Sequence, residues 1–218
     1  MIRLSPAQLR EEQAKTLAAP AMRYGPFVTV FFLAMDLVYG RRRSWSKFKV
    51  LEVIARVPYQ AWEHVAYIAI THVYERGEFA RRIFDRVKES RQQQDNEQWH
   101  LLILEEWVDR QGIREGFLRY RLIPQLIAFA YYQLSWILYV LKPDWSYRLN
   151  AKFEDHAERE YMLFVREHPE LESLPFDSAF MDDFGRFPTM ADAIRQVGYD
   201  ERVHKEESLV KAKAGRFA

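Results

Sequence analysis

The alternation of apolar and polar positions along the chain has helical spacing throughout, and no stretch alternates strictly enough to predict a strand. An apolar segment at 26–39 starts on Pro26 and stops at Gly40, the asymmetry of helix ends. Residues 45–76 predict one long helix that ends before Gly77 and is kinked by Pro58. Residues 78–111 predict the next helix, polar until Asn96, apolar beyond it, and closed by Gly112. Residues 116–142 hold an almost continuous apolar run from Leu122 to Leu141. Residues 143–167 open with Pro143 at the first helical position, and 189–213 form the last helix. Residues 168–188 contain three prolines and read as a loop. The expected organisation is an N-terminal arm (1–25), one helical domain (26–213) and a basic tail (214–218). Within the arm, Ser5-Pro6 opens a helical turn that Ala18-Ala19-Pro20 closes.

Chemistry enters where polarity breaks into an apolar face. Glu97 and His100 are three apart and share a helix face with Leu101 and Leu104, so the pair points into a core. A buried carboxylate needs a partner, and a metal ion accepts both groups at this spacing. A second Glu-x-x-His occurs at Glu201 and His204, and single glutamates sit in apolar helical context at Glu52 and Glu154. The interval from Glu52 to Glu97 is 45 residues and from Glu154 to Glu201 is 47, so each half offers a Glu helix followed by a Glu-x-x-His helix. Four such helices with ligands projecting inward build a two-metal site. The competing reading is a set of exposed Glu–His pairs on solvated faces, which the apolar flanks and the repeated interval disfavour. Oxygen ligands with imidazole suit iron or manganese better than soft metals. Tyr161 lies seven residues after Glu154, on the same face; a core tyrosine with a satisfied hydroxyl and a redox tyrosine both fit that spacing.

Composition narrows the setting. The chain has 218 residues, no cysteine and a net charge of +1, so there is no disulfide framework, no thiolate site and no case for nucleic-acid binding. Aromatic residues make up 15%, which suits a large core or a membrane interface. The arm has no continuous apolar run, unlike a secretory signal, and is short and acidic for a transit peptide. The segment 26–39 is interrupted by Asp36 and followed by Arg41-Arg42-Arg43 and Trp45, a pattern suited to a helix lying in one leaflet. A core helix with a solvated basic turn is the alternative. The 116–142 segment is long enough to span a bilayer. A single crossing there separates Glu52 and Glu97 from Glu154 and Glu201, so it too is expected to lie half-immersed. The expected fold is all-α: a ferritin-like four-helix bundle plus two additional helices forming a monotopic membrane-binding surface.

These motifs resemble the alternative oxidases, membrane-bound di-iron quinol oxidases, and in particular their plastid terminal oxidase branch. The similar stretches are Leu51-Glu52-Val53-Ile54-Ala55-Arg56-Val57-Pro58-Tyr59, the run from Asn96 to Glu106, the set Glu154, His156, Ala157 and Tyr161, and Asp200-Glu201-Arg202-Val203-His204. The resemblance covers about 26–208. It implies two iron ions held by Glu52, Glu97, His100, Glu154, Glu201 and His204, with Tyr161 as the redox tyrosine. It implies that Asn96 and Asp200 orient the ligand histidines and that Leu51 and Ala157 line a quinol pocket. Lys47 stands where the family usually has an arginine against the quinol head; lysine keeps the charge but loses the planar fork. The implied reaction consumes two quinols (plastoquinol or ubiquinol) and one O2 and yields water, without proton pumping. The implied setting is a homodimer on the cytoplasmic or stromal face of a bacterial inner or thylakoid-type membrane. Two other readings of the residues are a di-iron monooxygenase acting on a quinone ring and a metal-free interfacial bundle.

Overall fold

The computed structural model describes residues 2–217. In chain order the helices are α1 (Pro6–Ala18), α2 (Pro26–Tyr39), α3 (Trp45–Ala55), α4 (Val57–Ile70), α5 (Gly77–Arg110), α6 (Ile123–Leu141), α7 (Pro143–Glu167), α8 (Met181–Phe184) and α9 (Met190–Lys211). A π-helical turn, Leu118–Leu122, leads into α6, and a 3-10 turn, Pro169–Glu172, follows α7. Among the described residues the only extended pairing is a bridge between Pro175 and Thr189. The expected all-α class is the observed one.

The bundle proper is α3, α5, α7 and α9. Helix α7 packs along α9, and α3 with its continuation α4 packs along α5. At Gly198 of α9 the two partners come so close that an added Cβ would meet Tyr161 Cβ at 3.3 Å and Met162 Cε at 3.0 Å. That close approach brings the inward faces of α7 and α9 together just before Glu201.

The 45–76 segment is two helices rather than one kinked helix. The break falls at Arg56, and Pro58 occupies the first turn of α4, where its missing N–H costs nothing. The second helix also ends earlier than expected, at Ile70. The loop expected at 168–188 contains α8 and sends Leu171, Phe176, Phe184 and Phe187 into the core.

Residues 1–25 hold more than a turn. Helix α1 has 13 residues, opened by a capping box in which the Ser5 hydroxyl receives the Gln8 N–H while the Gln8 side chain receives the Ser5 N–H. It lies across α7 and α9 and buries Leu9 completely. The rest of its contact is polar: Gln13 Nε2 donates to the Met162 carbonyl at 2.8 Å, and Thr16 donates to Glu158 at 2.5 Å. Arg202 of α9 joins the same network through Glu158 at 2.9 Å and through Glu12.

Helices α2 and α6 flank the bundle and each carry four exposed large apolar side chains. On α2 these are Phe27, Val30, Leu33 and Leu37, a stripe at helical spacing. On α6 they are Leu126, Phe129, Ile137 and Leu141. No helix is long and apolar enough to cross a membrane among the described residues. Asp36, which interrupts α2, is paired with the Lys47 ammonium at 2.6 Å.

Candidate metal centre

The ligand candidates come from all four bundle helices: Glu52 from α3, Glu97 and His100 from α5, Glu154 from α7, Glu201 and His204 from α9. All six are at most 1% exposed. They fall into two overlapping groups, Glu52–Glu97–His100–Glu201 and Glu97–Glu154–Glu201–His204, with one ligand atom per residue all within 4.8 Å of one another. Glu97 and Glu201 belong to both groups, so they stand between two adjacent cation positions.

The unpaired atoms of the donor set suit a metal pair. Both oxygens of Glu97 and of Glu201, Glu52 Oε2, Glu154 Oε2, and the Nδ1 atoms of both histidines are buried without a hydrogen bond. Yet His100 Nδ1 lies 3.2 Å from Glu201 Oε1, and His204 Nδ1 lies 2.7 Å from Glu97 Oε1. Ligand atoms of different helices thus converge on shared points. Buried polar atoms are almost always satisfied, and cations satisfy all of these at once. Four carboxylates and two neutral imidazoles balance two divalent ions, and this oxygen-rich set suits iron.

Surrounding groups hold the ligands. The Tyr161 hydroxyl donates to Glu52 Oε1, and the Tyr59 hydroxyl donates to Glu154 Oε1 at 2.7 Å. Asn150 Nδ2 donates to Tyr59 at 2.9 Å. His100 Nε2 lies 3.3 Å from Asp200 Oδ2, which also receives Asn96 Nδ2 at 3.2 Å. Tyr59 is the residue that sequence reasoning missed. Its signal was available: it lies seven residues after Glu52, as Tyr161 lies seven after Glu154. The two tyrosines cross over, each supporting the single glutamate of the other half.

Four carboxylates crowded in an apolar core shift one another's protonation. Burial and then the Glu97 charge push Glu52 up to about 8, and the same causes raise Glu154 and Glu201. Burial raises Glu97 too, but His204 and His100 outweigh it and hold this carboxyl low. Burial opposes protonation of the histidines, yet the Asp200 and Glu201 carboxylates facing its two ring nitrogens raise His100, and the Glu97 charge raises His204. A carboxyl raised in the folded state stabilises it fully below its ordinary pKa of 4.5 and ceases to do so as the pH climbs through 8. The raised histidines act in the same sense, and Glu97 is ionised across this window. The metal-free protein is therefore expected to lose melting temperature from pH 6 to pH 9. Bound Fe(II), which demands deprotonated ligands, should abolish that fall. Thermal melts with and without Fe(II) read it directly, and a flat profile for the metal-free protein contradicts the charge picture.

Beside Glu154 lies a small pocket of about 30 Å³, lined by Leu51, Ile54, Asn150, Phe153, Glu154, His156 and Ala157 among others. A larger apolar cleft of about 410 Å³ opens between α2 and α6. Phe31, Tyr131 and Phe153 line both, so an aromatic wall separates the cleft from the metal ligands. Leu51 and Ala157 both line the small pocket beside Glu154. Lys47 is not on either wall: its ammonium bonds Asp36 and, at 3.0 Å, the Gly40 carbonyl. These two contacts tie α2 and its C-terminal turn to the start of α3. His64 Nδ1 lies 2.6 Å from the Tyr132 hydroxyl, far from any ligand role.

Comparison with known proteins agrees with this geometry. The family model for alternative oxidase matches residues 26–211. Ubiquinol oxidase 4, chloroplastic/chromoplastic, of Arabidopsis thaliana is 34% identical over 148 residues, a stretch covering 65% of this chain and 37% of that relative.

Proposed function

The chain belongs to the alternative oxidase family, and from that premise we propose that it is a membrane-associated quinol:oxygen oxidoreductase with a di-iron centre. The supporting observation is the pair of overlapping ligand groups set one aromatic wall behind a cleft that opens between two lipid-suited helices. Two quinols and one O2 give two quinones and two waters, which balances four electrons and four protons. When bound, the iron pair supplies the redox capacity to accept electrons and pass them to O2. The chain's own residues do the rest. The cleft between α2 and α6 admits a lipid-soluble quinol, and Leu51 and Ala157 shape the inner pocket against Glu154. Tyr161 holds a proton at its hydroxyl, directed at Glu52, and is placed to give a proton and an electron. Electrons and protons meet O2 at one buried centre, so the reading has no step that moves protons across the bilayer.

The apolar stripes of α2 and α6 lie in one leaflet on this reading, with exposed Arg41 and Arg42 at phosphate level. Exposed Tyr67 and Ile68 on α4 offer a surface for a homodimer through the bundle. The Arabidopsis relative is named for ubiquinol; ubiquinol and plastoquinol differ at the ring, which the inner pocket receives.

Oxygen uptake with short-chain quinols tests the proposal. Two quinols consumed per O2, with unmodified quinone as product, is the expected result; a hydroxylated quinone moves the chain to the monooxygenases. Ala157→Leu narrows the inner pocket and should raise KM for quinol about tenfold or more with iron content unchanged. An unaltered KM removes Ala157 from the quinol site.

A further inference from the structure

The two histidines of the metal centre are supported unequally, and the difference leads to the amino terminus. Gln196 lies on α9 one turn before Asp200 and is 1% exposed. Its Oε1 accepts the Leu4 backbone N–H at 3.0 Å. Its Nε2 donates to the Ile2 carbonyl and to Asp200 Oδ1, each at 2.9 Å. One donor and two acceptors fix which end of the amide is which. The other Asp200 oxygen faces His100 Nε2 and takes the Asn96 amide. With the ring proton committed to Asp200, His100 turns its Nδ1 lone pair toward Glu52, Glu97 and Glu201. An unbroken chain of contacts thus runs from the backbone of residues 2–4 to one ligand.

His204 has no counterpart to this chain. Its Nε2 is buried without a hydrogen bond, and its ring leans on Tyr59, with centroids 5.4 Å apart. A second tether acts on the His100 side only. The Arg3 guanidinium donates to the Asp183 carbonyl at 2.8 Å and so pins α8, whose Phe184 stands edge-on to His100 at 5.5 Å. Gly185, at φ 140°, makes that crossing possible: an added Cβ would come within 2.9 Å of Arg3 Nε.

We propose that Gln196, locked by the Ile2–Leu4 backbone, is a positioning residue for the His100 half of the metal pair, so that the two metals are held with unequal strength. Residues 2–4 lie outside the stretch matched by the family model, so this brace belongs to the chain's own amino-terminal segment. Orienting partners of ligand histidines commonly account for ten- to hundredfold in metal affinity. The proposal rests on the two-metal reading above, and the test separates the two.

Metal-free full-length protein is titrated with Fe(II) under anaerobic conditions, and the affinity of each site is read beside the melting temperature. Gln196→Met keeps the side-chain size and removes all three hydrogen bonds. It should weaken one site by about tenfold or more and leave the other unchanged. Leu9→Ala loosens α1 without touching the relay; it should lower the melting temperature and leave both affinities in place. Should Gln196→Met leave both sites unchanged, or weaken both equally, the proposal is overturned. If that variant does not fold, Leu4→Pro decides, since it deletes the N–H that Gln196 receives and leaves Gln196 itself in place: one weakened site supports the brace, and two unchanged sites overturn it. A wild-type protein that takes up no Fe(II) defeats the metal reading and the brace together, whereas two tightly held irons indifferent to both variants defeat the brace alone.

Discussion

Glu97→Ala is expected to empty both halves of the centre in a single step. Glu97 is common to the two ligand groups, with one oxygen 2.7 Å from His204 Nδ1 and the other 3.7 Å from His100 Nδ1. Its loss takes a ligand from each metal position and one of the four charges that balance the cations. Iron per chain should fall from about two to near zero, because neither position retains its full donor set. Quinol-dependent, cyanide-resistant oxygen uptake should fall to background with it. Glu52→Ala makes the informative contrast. Glu52 belongs to one group only, so the position held by Glu97, Glu154, Glu201 and His204 keeps its ligands, and about one iron should remain. Wild-type rates in membranes carrying Glu97→Ala would reject the catalytic assignment outright.

Tyr161→Phe is expected to separate chemistry from metal binding. The ring is fully buried and stacked on Phe48, with centroids 4.3 Å apart, so phenylalanine keeps the packing. What disappears is one hydroxyl that donates to Glu52. The stability cost is that of one hydrogen bond, about 1 kcal/mol. Burial, followed by the charges of Glu52 and Glu201, pushes the phenol well above its ordinary range, so the wild-type hydroxyl carries its proton at neutral pH. If that proton takes part in the reaction, the rate should drop by about 10² to 10⁴ while both irons stay bound. An unchanged rate would return Tyr161 to the role of a core tyrosine with a satisfied hydroxyl.

The ligand set was readable because its chemistry is periodic: Glu-x-x-His fixes two side chains on one turn, and the same interval recurs in the second half. The helix ends marked by Pro26, Gly112 and Pro143 were readable for a related reason, since these residues leave few backbone options. The break at Arg56 was mistaken for a kink because Pro58 is equally at home bending one helix and starting another; only the packing of α4 on α5 and α6 decides. The ends of α1, at Ser5-Pro6 and Ala18, were readable, but its docking on α7 and α9 was not. Apart from Leu9, it docks through Gln13, Thr16 and Glu12, and a hydrophobic pattern cannot report a contact made of hydrogen bonds. Lys47 is a case that sequence leaves open: the resemblance gives it the quinol head, and the structure pairs its ammonium with Asp36, eleven residues away.

The crossover of the two tyrosines has a consequence for biosynthesis. Tyr161 reaches back 109 residues to Glu52, and Tyr59 reaches forward 95 residues to Glu154. While the ribosome is still making the second half, the emerging chain therefore displays ligands whose supports do not yet exist. Contacts of such long sequence separation form late. The six candidate ligands run from Glu52 on α3 to His204 on α9, so the full set cannot assemble until the last helix has left the ribosome.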